Sequence, residues 1–170
     1  IPFTDDAVIH TAKRIKQVED ILERPFILEN VSFYAAPGAQ MTEQEFVNAV
    51  LQEADCKLLL DVNNIYVNSI NHQYDAAAYL AAMPTKRIAY LHIAGHYEEE
   101  ADLMVDTHGA DIIDPVWALL QQCYQLHGVH PTLLERDFNI PKTDILLNEI
   151  NQIHQYQQNA LTQQSILRKA

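Results

Sequence analysis

Side chains that can bind a metal ion stand at the ends of four short apolar runs of the sequence. These ends read Glu29-Asn30, Asp61-Val62-Asn63-Asn64, His92-Ile93-Ala94-Gly95-His96 and Glu135-Arg136-Asp137. Carboxylate and imidazole groups without thiolate suit iron, manganese or zinc and disfavour iron–sulfur clusters. Buried unpaired charge is costly, so core packing explains all four ends poorly. The pattern therefore predicts a metal site.

A loop motif adds two further candidate ligands. In Asp106-Thr107-His108-Gly109 a carboxylate and an imidazole lie close enough to hold one ion, and Gly109 would let the loop turn tightly. The candidates now outnumber the ligands that one ion needs, which predicts two or more metals with a bridging carboxylate such as Glu29. No base or nucleophile stands out beside them, so we predict no catalytic residue apart from the ligands.

The apolar runs predict the strands that must position these groups. They are continuous rather than alternating, as expected for parallel strands covered on both faces, and they span residues 26–32, 57–63, 87–93 and 132–136. Segments with helical apolar spacing separate them, and Thr42 with Glu45 forms a capping box before one. We predict one α/β domain with a leading helix (1–25), four β/α units (26–160) and a polar tail (161–170).

This order of elements fits both a doubly wound sheet and a barrel. In a barrel the carboxyl ends of the strands converge on one mouth, where active sites are built, and four polar strand ends favour that arrangement. A complete (β/α)8 barrel takes about 250 residues, whereas this chain has 170. It can therefore form roughly half of a barrel.

Charge and composition exclude several partners. The formal net charge is -12, with scattered Lys and Arg residues, so neither nucleic acid nor an anionic membrane surface is an expected partner. We expect no transmembrane segment, because no apolar run approaches the roughly 20 residues that cross a bilayer. The sequence starts without the basic and apolar regions of a signal peptide, and Cys56 and Cys123 form no Cys-x-x-Cys pair. A cytoplasmic location is the expectation.

Five motifs in order resemble those of a known family. They are Leu28-Glu29-Asn30-Val31-Ser32-Phe33-Tyr34, Asp61-Val62-Asn63-Asn64-Ile65-Tyr66-Val67-Asn68, His92-Ile93-Ala94-Gly95-His96, Asp106-Thr107-His108-Gly109 and Pro131-Thr132-Leu133-Leu134-Glu135-Arg136-Asp137. Together they cover about residues 26–147. The sequence resembles the multinuclear non-heme iron-dependent oxidative enzymes, which are also known as domain-of-unknown-function family 692.

The resemblance implies the C-terminal half of a TIM-type barrel with four parallel strands, each followed by a helix. It also implies two or three iron ions in a mixed ferrous–ferric state, with O2 as co-substrate. Family members oxidise cysteine or other residues of ribosomally made peptides, often with a partner protein that presents the peptide. Carried over by motif, the implied metal ligands are Glu29, Asp61, Asn64, His96, Asp106, His108 and Glu135.

Some alternatives stay open at this stage. His92 lies deeper in its strand and is either a ligand or a histidine that supports the site from the barrel core. Zinc or manganese could replace iron in another barrel chemistry, such as that of a sugar isomerase or a phosphodiesterase. Family members supply further ligands from a first half, so the chain is either a fragment, a non-catalytic remnant or one half of a homo-oligomer.

Overall fold

The computed structural model describes residues 1–167, in which helices and strands alternate. The helices are α1 (Asp5–Leu22), α2 (Glu43–Ala54), α3 (Val62–His72), α4 (Ala76–Ala81), α5 (Asp114–His127) and α6 (Thr143–Leu167). The strands are β1 (Ile27–Glu29), β2 (Lys57–Asp61), β3 (Ile88–Ala94), β4 (Tyr97–Glu100), β5 (Leu103–Val105) and β6 (Thr132–Glu135), and a 3-10 helix (Thr85–Arg87) precedes β3. Among these residues, no helix has both the length and the apolar character needed to cross a membrane.

Four of the strands form one parallel sheet in the order β1-β2-β3-β6. Each is followed along the chain by a helix, so the predicted parallel strands in sequential order are confirmed. The register places Asp61 opposite His92 and Ala94 opposite Glu135. The carboxyl ends of the strands therefore meet at one edge, as in part of a TIM-type barrel.

The two faces of the sheet differ in their surroundings. Leu58, Leu60 and Leu91 are fully buried in the hydrophobic core that the helices form on one face. Because alternate residues of a strand point to opposite faces, Asp61 and His92 project from the other face. On that second face Leu133, the register partner of His92, is 52% exposed. The apolar packing thus lies behind the sheet, and the polar strand ends point away from it.

Strands β1 and β2 are shorter than the sequence predicted, for two different reasons. The prediction extended β1 to residue 32, but it ends at Glu29, where the Asn30 side chain takes over the pairing with β2. Its Nδ2 donates to the Asp61 carbonyl, and the Asp61 amide donates to its Oδ1, both at 2.9 Å. The prediction extended β2 to residue 63, but Asp61 caps α3 by accepting from the Asn64 amide at 2.7 Å. Val62 and Asn63 therefore belong to a helix.

Two elements were not predicted, namely helix α3 and a hairpin. Helix α3 buries Asn63, Asn64, Asn68 and Ser69 beside Val62, Ile65 and Val67, so polar and apolar side chains are mixed on its hidden face. The antiparallel hairpin β4–β5 interrupts the loop after β3, and the residues of β4 are exposed and mostly acidic.

By contrast, the predicted capping box of α2 is present. Helix α6 runs through residue 167 of the predicted polar tail, and residues 168–170 lie outside the described residues.

Candidate metal centre

The strand ends of the sheet place three carboxylates around one imidazole. His92 Nδ1 lies 3.0 Å from Glu135 Oε2, 3.6 Å from Glu29 Oε1 and 3.8 Å from Asp61 Oδ2. Glu29, Asp61 and His92 each offer a ligand atom within 4.8 Å of the others, close enough to share one metal ion. Three of the predicted ligands therefore meet, and the imidazole at their centre is His92 rather than His96.

The loop motif brings a second imidazole to the same place. His108 Nε2 lies 2.7 Å from Asp106 Oδ1, and its Nδ1 lies 3.1 Å from Asp137 Oδ2 and 3.6 Å from Glu135 Oε1. Asp61, His108 and Glu135 form a further group whose ligand atoms lie within 4.8 Å of one another. The tight turn is made by His108 itself, with φ of 50°, and not by Gly109 as predicted.

A glycine lets this loop lie directly against the end of β3. A Cβ atom added to Gly95 would overlap with the carbonyl oxygen of Ala110, in the segment that follows the loop motif. The Asp137 amide also donates to the His108 carbonyl at 3.0 Å, which joins the loop to the segment after β6. These contacts keep the imidazole of His108 over the strand ends.

Several ligand atoms at this site are buried and yet lack a hydrogen bond within the described part of the chain. They include Asp61 Oδ2, His92 Nδ1 and His108 Nε2. Carboxylate oxygens lie near both imidazole nitrogens, but the contacts lack hydrogen-bond geometry. Buried polar atoms are normally paired, and an ion that accepts their lone pairs would remove the cost of leaving them unpaired. The donor set thus fits a metal cation.

The charges of the site also favour a cation. Burial raises the pKa of Asp61 to about 7, and the nearby charges of Glu29 and Asp106 add to the rise. Burial alone would lower the pKa of His92, but its contacts with Glu29, Asp61 and Glu135 outweigh burial and raise it. Both changes come from crowding carboxylates into a poorly hydrated space. A bound metal ion would reverse this effect on the carboxylates by supplying positive charge.

Asp106 and His108 shift each other's pKa in opposite directions. The contact with Asp106 raises the pKa of His108 to about 9. Burial would raise the pKa of Asp106, but His108 and the hydrogen bonds from Ser32 and Asn63 lower it instead. An imidazole must lose its proton to bind a metal, so metal binding here would release a proton and would strengthen as the pH rises.

The predicted ligand His96 is linked to Asp106 by hydrogen bonds through the side-chain amide of Asn63. Its Nδ1 lies 2.8 Å from Asn63 Oδ1, and Asn63 Nδ2 donates to Asp106 Oδ1 at 3.0 Å. With the amide in this orientation the proton of His96 is on Nδ1 and its lone pair is on Nε2. Burial lowers the pKa of His96, which favours the neutral form that metals bind. Its role as a ligand stays a prediction.

Asn64 has one free oxygen atom in the same region. Its Nδ2 donates to the Asn30 carbonyl at 3.1 Å, whereas its Oδ1 is buried without a partner among residues 1–167. The amide therefore already helps to hold the backbone after β1, and only the oxygen is available to an ion. Asn64 also stays a prediction as a ligand.

The sequence can now be compared with those of known proteins. The sequence pattern described as "RiPP precursor modification enzyme MbnB/TglH/ChrH" matches residues 1–158, where RiPP denotes a ribosomally synthesised and post-translationally modified peptide. The chain belongs to this family. The match confirms the family resemblance, and with it a TIM-type barrel as the fold to which the four-stranded sheet belongs.

Curated relatives of this RiPP precursor modification family are similar over most of the chain. The UPF0276 protein of Shewanella sediminis is 79% identical over 157 residues, which are 92% of this chain and 56% of that protein. The UPF0276 protein PA3283 of Pseudomonas aeruginosa is 55% identical over 160 residues, which are 94% of this chain and 56% of that protein. The chain therefore spans little more than half the length of these relatives.

Sequence reasoning undervalued one residue of the site. His92 was left open between a ligand and a supporting role, although its ring lies nearest to the three carboxylates. Its position in β3 held a usable signal, because parallel pairing with β2 brings His92 opposite Asp61. His96, by comparison, follows the end of β3 at Ala94. Strand register, which the sequence does not state, separates the two histidines.

Proposed function

We propose that this chain contributes to the metal centre of an iron-dependent oxidative enzyme that modifies cysteine or other residues of a ribosomally made peptide. One observation carries the proposal: buried ligand atoms of Asp61, His92 and His108, which make no hydrogen bond within residues 1–167, converge among carboxylates. Membership of a family of RiPP precursor modification enzymes supports the peptide as substrate. A peptide-presenting partner protein, a cytoplasmic location and self-association of the chain belong to the same proposal.

The donor set supports iron through what it contains and what it lacks. Carboxylates and imidazoles surround the site, and the two cysteines are buried in the hydrophobic core. Burial raises the pKa of the Cys123 thiol to about 12, so this side chain does not offer a thiolate at neutral pH. Oxygen and nitrogen ligands with open coordination positions are typical of non-heme iron that reacts with O2.

The arrangement supports more than one ion. Two groups of possible ligands overlap at Asp61, one with Glu29 and His92 and the other with His108 and Glu135. A carboxylate common to two groups is a suitable bridge between neighbouring ions, so we propose Asp61 as a bridge beside the predicted Glu29. Two or three ions fit this number of ligands, with Asn64, His96 and Asp106 as the remaining proposed ligands. Mixed valence is proposed from the family resemblance.

The roles of the side chains follow from their contacts. Bound iron would supply the capacity to react with O2 and to exchange electrons with the substrate. The protein would hold the ions at the strand ends, and the Asn63 amide would orient His96 and Asp106. The buried walls behind Asp61 would keep water away on one side. No side chain beyond the proposed ligands is assigned a catalytic role.

The proposal is tested by metal analysis together with a peptide assay. The native protein, purified without added metal, should contain iron by elemental analysis and give Mössbauer signals of both ferrous and ferric ions. Coexpression with a small cysteine-containing peptide encoded beside its gene should change the mass of that peptide, and Glu29→Gln should prevent the change. Zinc or manganese alone would instead indicate a different metal-dependent chemistry, and a metal-free native protein would indicate a non-catalytic chain.

A further inference from the structure

The segment after β1, residues 30–34, is held by helix α3 rather than by a strand. Asn68 is fully buried, its Nδ2 donates to the Val31 carbonyl at 3.1 Å, and its Oδ1 accepts from the Phe33 amide at 3.0 Å. One helical turn later, His72 Nε2 lies 2.8 Å from the Phe33 carbonyl oxygen. The imidazole of His72 also stacks on the phenyl ring of Phe33, with 3.9 Å between the ring centroids. The backbone of the segment is therefore fixed on the side that faces α3.

The same segment contacts a proposed metal ligand with two of its side chains. Ser32 Oγ donates to Asp106 Oδ2 at 3.0 Å, and the Asp106 amide donates to Tyr34 Oη at 3.0 Å. The second carboxylate oxygen, Asp106 Oδ1, is the one that lies 2.7 Å from His108 Nε2. Tyr34 thus holds the backbone of Asp106 and Ser32 holds its Oδ2, while Oδ1 accepts from Asn63 Nδ2 and lies toward the imidazole of His108.

We infer that Ser32 and Tyr34 are positioning residues that set the orientation of Asp106 in the metal centre. The inference rests on the proposed function, because it takes Asp106 as a metal ligand. A carboxylate side chain on a loop can rotate freely, and the hydrogen bond from Ser32, together with that from Asn63, restricts it to one orientation before a metal arrives. Tyr34 Oη accepts from the Asp106 amide and so fixes the backbone that carries this carboxylate. Asn68 and His72 hold the backbone of Phe33 against α3, so Ser32 and Tyr34 meet Asp106 from a fixed backbone.

A purely structural role explains the contacts less well. Tyr34 is 52% exposed and Val31 is 59% exposed, so the segment buries little apolar surface of its own. Removing the hydroxyl group of the exposed Tyr34 should change folding stability little, and removing that of the half-buried Ser32 should change it only by the loss of its hydrogen bond to Asp106. Loss of a group that orients a metal ligand typically weakens metal binding about 10- to 100-fold. A positioning role therefore predicts a large loss of metal affinity with little change in folding stability, whereas a purely structural role predicts a change in stability without a specific loss of affinity.

The experiment measures Co2+ binding to the native protein after its own metal has been removed. Cobalt is chosen because its visible absorption reports the geometry of the ligands. The variants are Ser32→Ala, Tyr34→Phe and the double variant, with Ser32→Thr to restore a hydroxyl group. The matched control is Tyr97→Phe, because Tyr97 is 54% exposed and its hydroxyl has no hydrogen-bond partner within the described residues.

We expect Ser32→Ala to weaken cobalt binding by about 10-fold and to change the visible spectrum. The thermal midpoint of the metal-free protein should stay close to that of the wild type, and Ser32→Thr should recover the wild-type affinity and spectrum. Wild-type cobalt affinity and spectrum in the double variant would overturn the inference, as would an equal loss of affinity in Tyr97→Phe. A wild-type protein that binds no cobalt would instead overturn the proposed metal centre itself.

Discussion

Glu43, at the start of α2, is a buried carboxyl group with a measurable effect on stability. Its Oε1 accepts from Tyr79 Oη at 3.1 Å and from Asn68 Nδ2 at 3.2 Å, and its Oε2 accepts from Tyr74 Oη at 3.2 Å. Burial raises its pKa from 4.5 to about 7, although the three hydrogen bonds oppose the rise. Through Asn68 this group supports the segment that follows β1.

The sign and size of the effect of Glu43 on folding stability follow from its pKa. Between about pH 4.5 and 7 the folded protein retains a proton on Glu43 that the unfolded chain has released, so stability falls as the pH rises. At about 1.4 kcal/mol for each pKa unit, the rise from 4.5 to about 7 corresponds to about 3 kcal/mol. The glutamine side chain of Glu43→Gln has nearly the same shape and can keep hydrogen bonds. Because it stays neutral, it avoids the cost of ionising a buried carboxyl group.

Urea unfolding of the metal-free protein near pH 5 and near pH 8 measures the difference. The free energy of unfolding of Glu43→Gln, relative to the wild type, should increase by about 2.5 kcal/mol between these pH values, because part of the effect is already present at pH 5. Glu45→Gln on the same helix is the control of opposite sign, because hydrogen bonds from Thr42 lower the pKa of Glu45. Its stability relative to the wild type should fall as the pH rises toward 4.5 and stay nearly constant between pH 5 and 8, so this control is also measured near pH 3.

A difference between Glu43→Gln and the wild type that does not change with pH would refute this reasoning. It would mean that Glu43 is ionised in the folded protein at the same pH as in the unfolded chain. The burial of Glu43 and its contacts with the two tyrosines would then be wrong.

Three further predictions test the site and the core. Glu29→Ala should lower the metal content of the native protein while leaving the thermal midpoint of its metal-free form nearly unchanged, because mouth residues of barrels contribute little to stability. His92→Ala should lower metal content at least as much as Glu29→Ala does, whereas the exposed His10→Ala should have no effect, as elemental analysis would show. Leu60→Ala, at a fully buried position of β2, should lower the free energy of unfolding by about 2–5 kcal/mol in a urea titration.

The parallel sheet could be predicted because its signal is local. Leu58, Leu59 and Leu60 form a continuous apolar run, and such runs separated by helical segments leave few arrangements other than a parallel sheet. Because the carboxyl ends of parallel strands lie at the same edge of a sheet, the polar residues that end these runs were expected at that edge. Asp61 and Glu135 lie there in the structure, as expected from this argument.

The parts that could not be predicted depend on contacts between distant residues. Asn64 and Asn68 are polar yet buried, because the backbone of residues 30–33 takes their hydrogen bonds. Without knowledge of that partner, the asparagines of α3 give no sign of burial, and Val62 and Asn63 were assigned to the preceding strand. The choice between His92 and His96 likewise depends on the register of β2 and β3 and on the amide of Asn63.

The most direct test of the proposed centre is a crystal structure of the native protein with anomalous diffraction data on both sides of the iron absorption edge. We expect an iron peak in direct contact with Asp61 and His92, and a second peak, for a neighbouring ion, in contact with His108 or Glu135. Iron bound elsewhere, or side chains of Asp61 and His92 paired with each other and no metal between them, would contradict it.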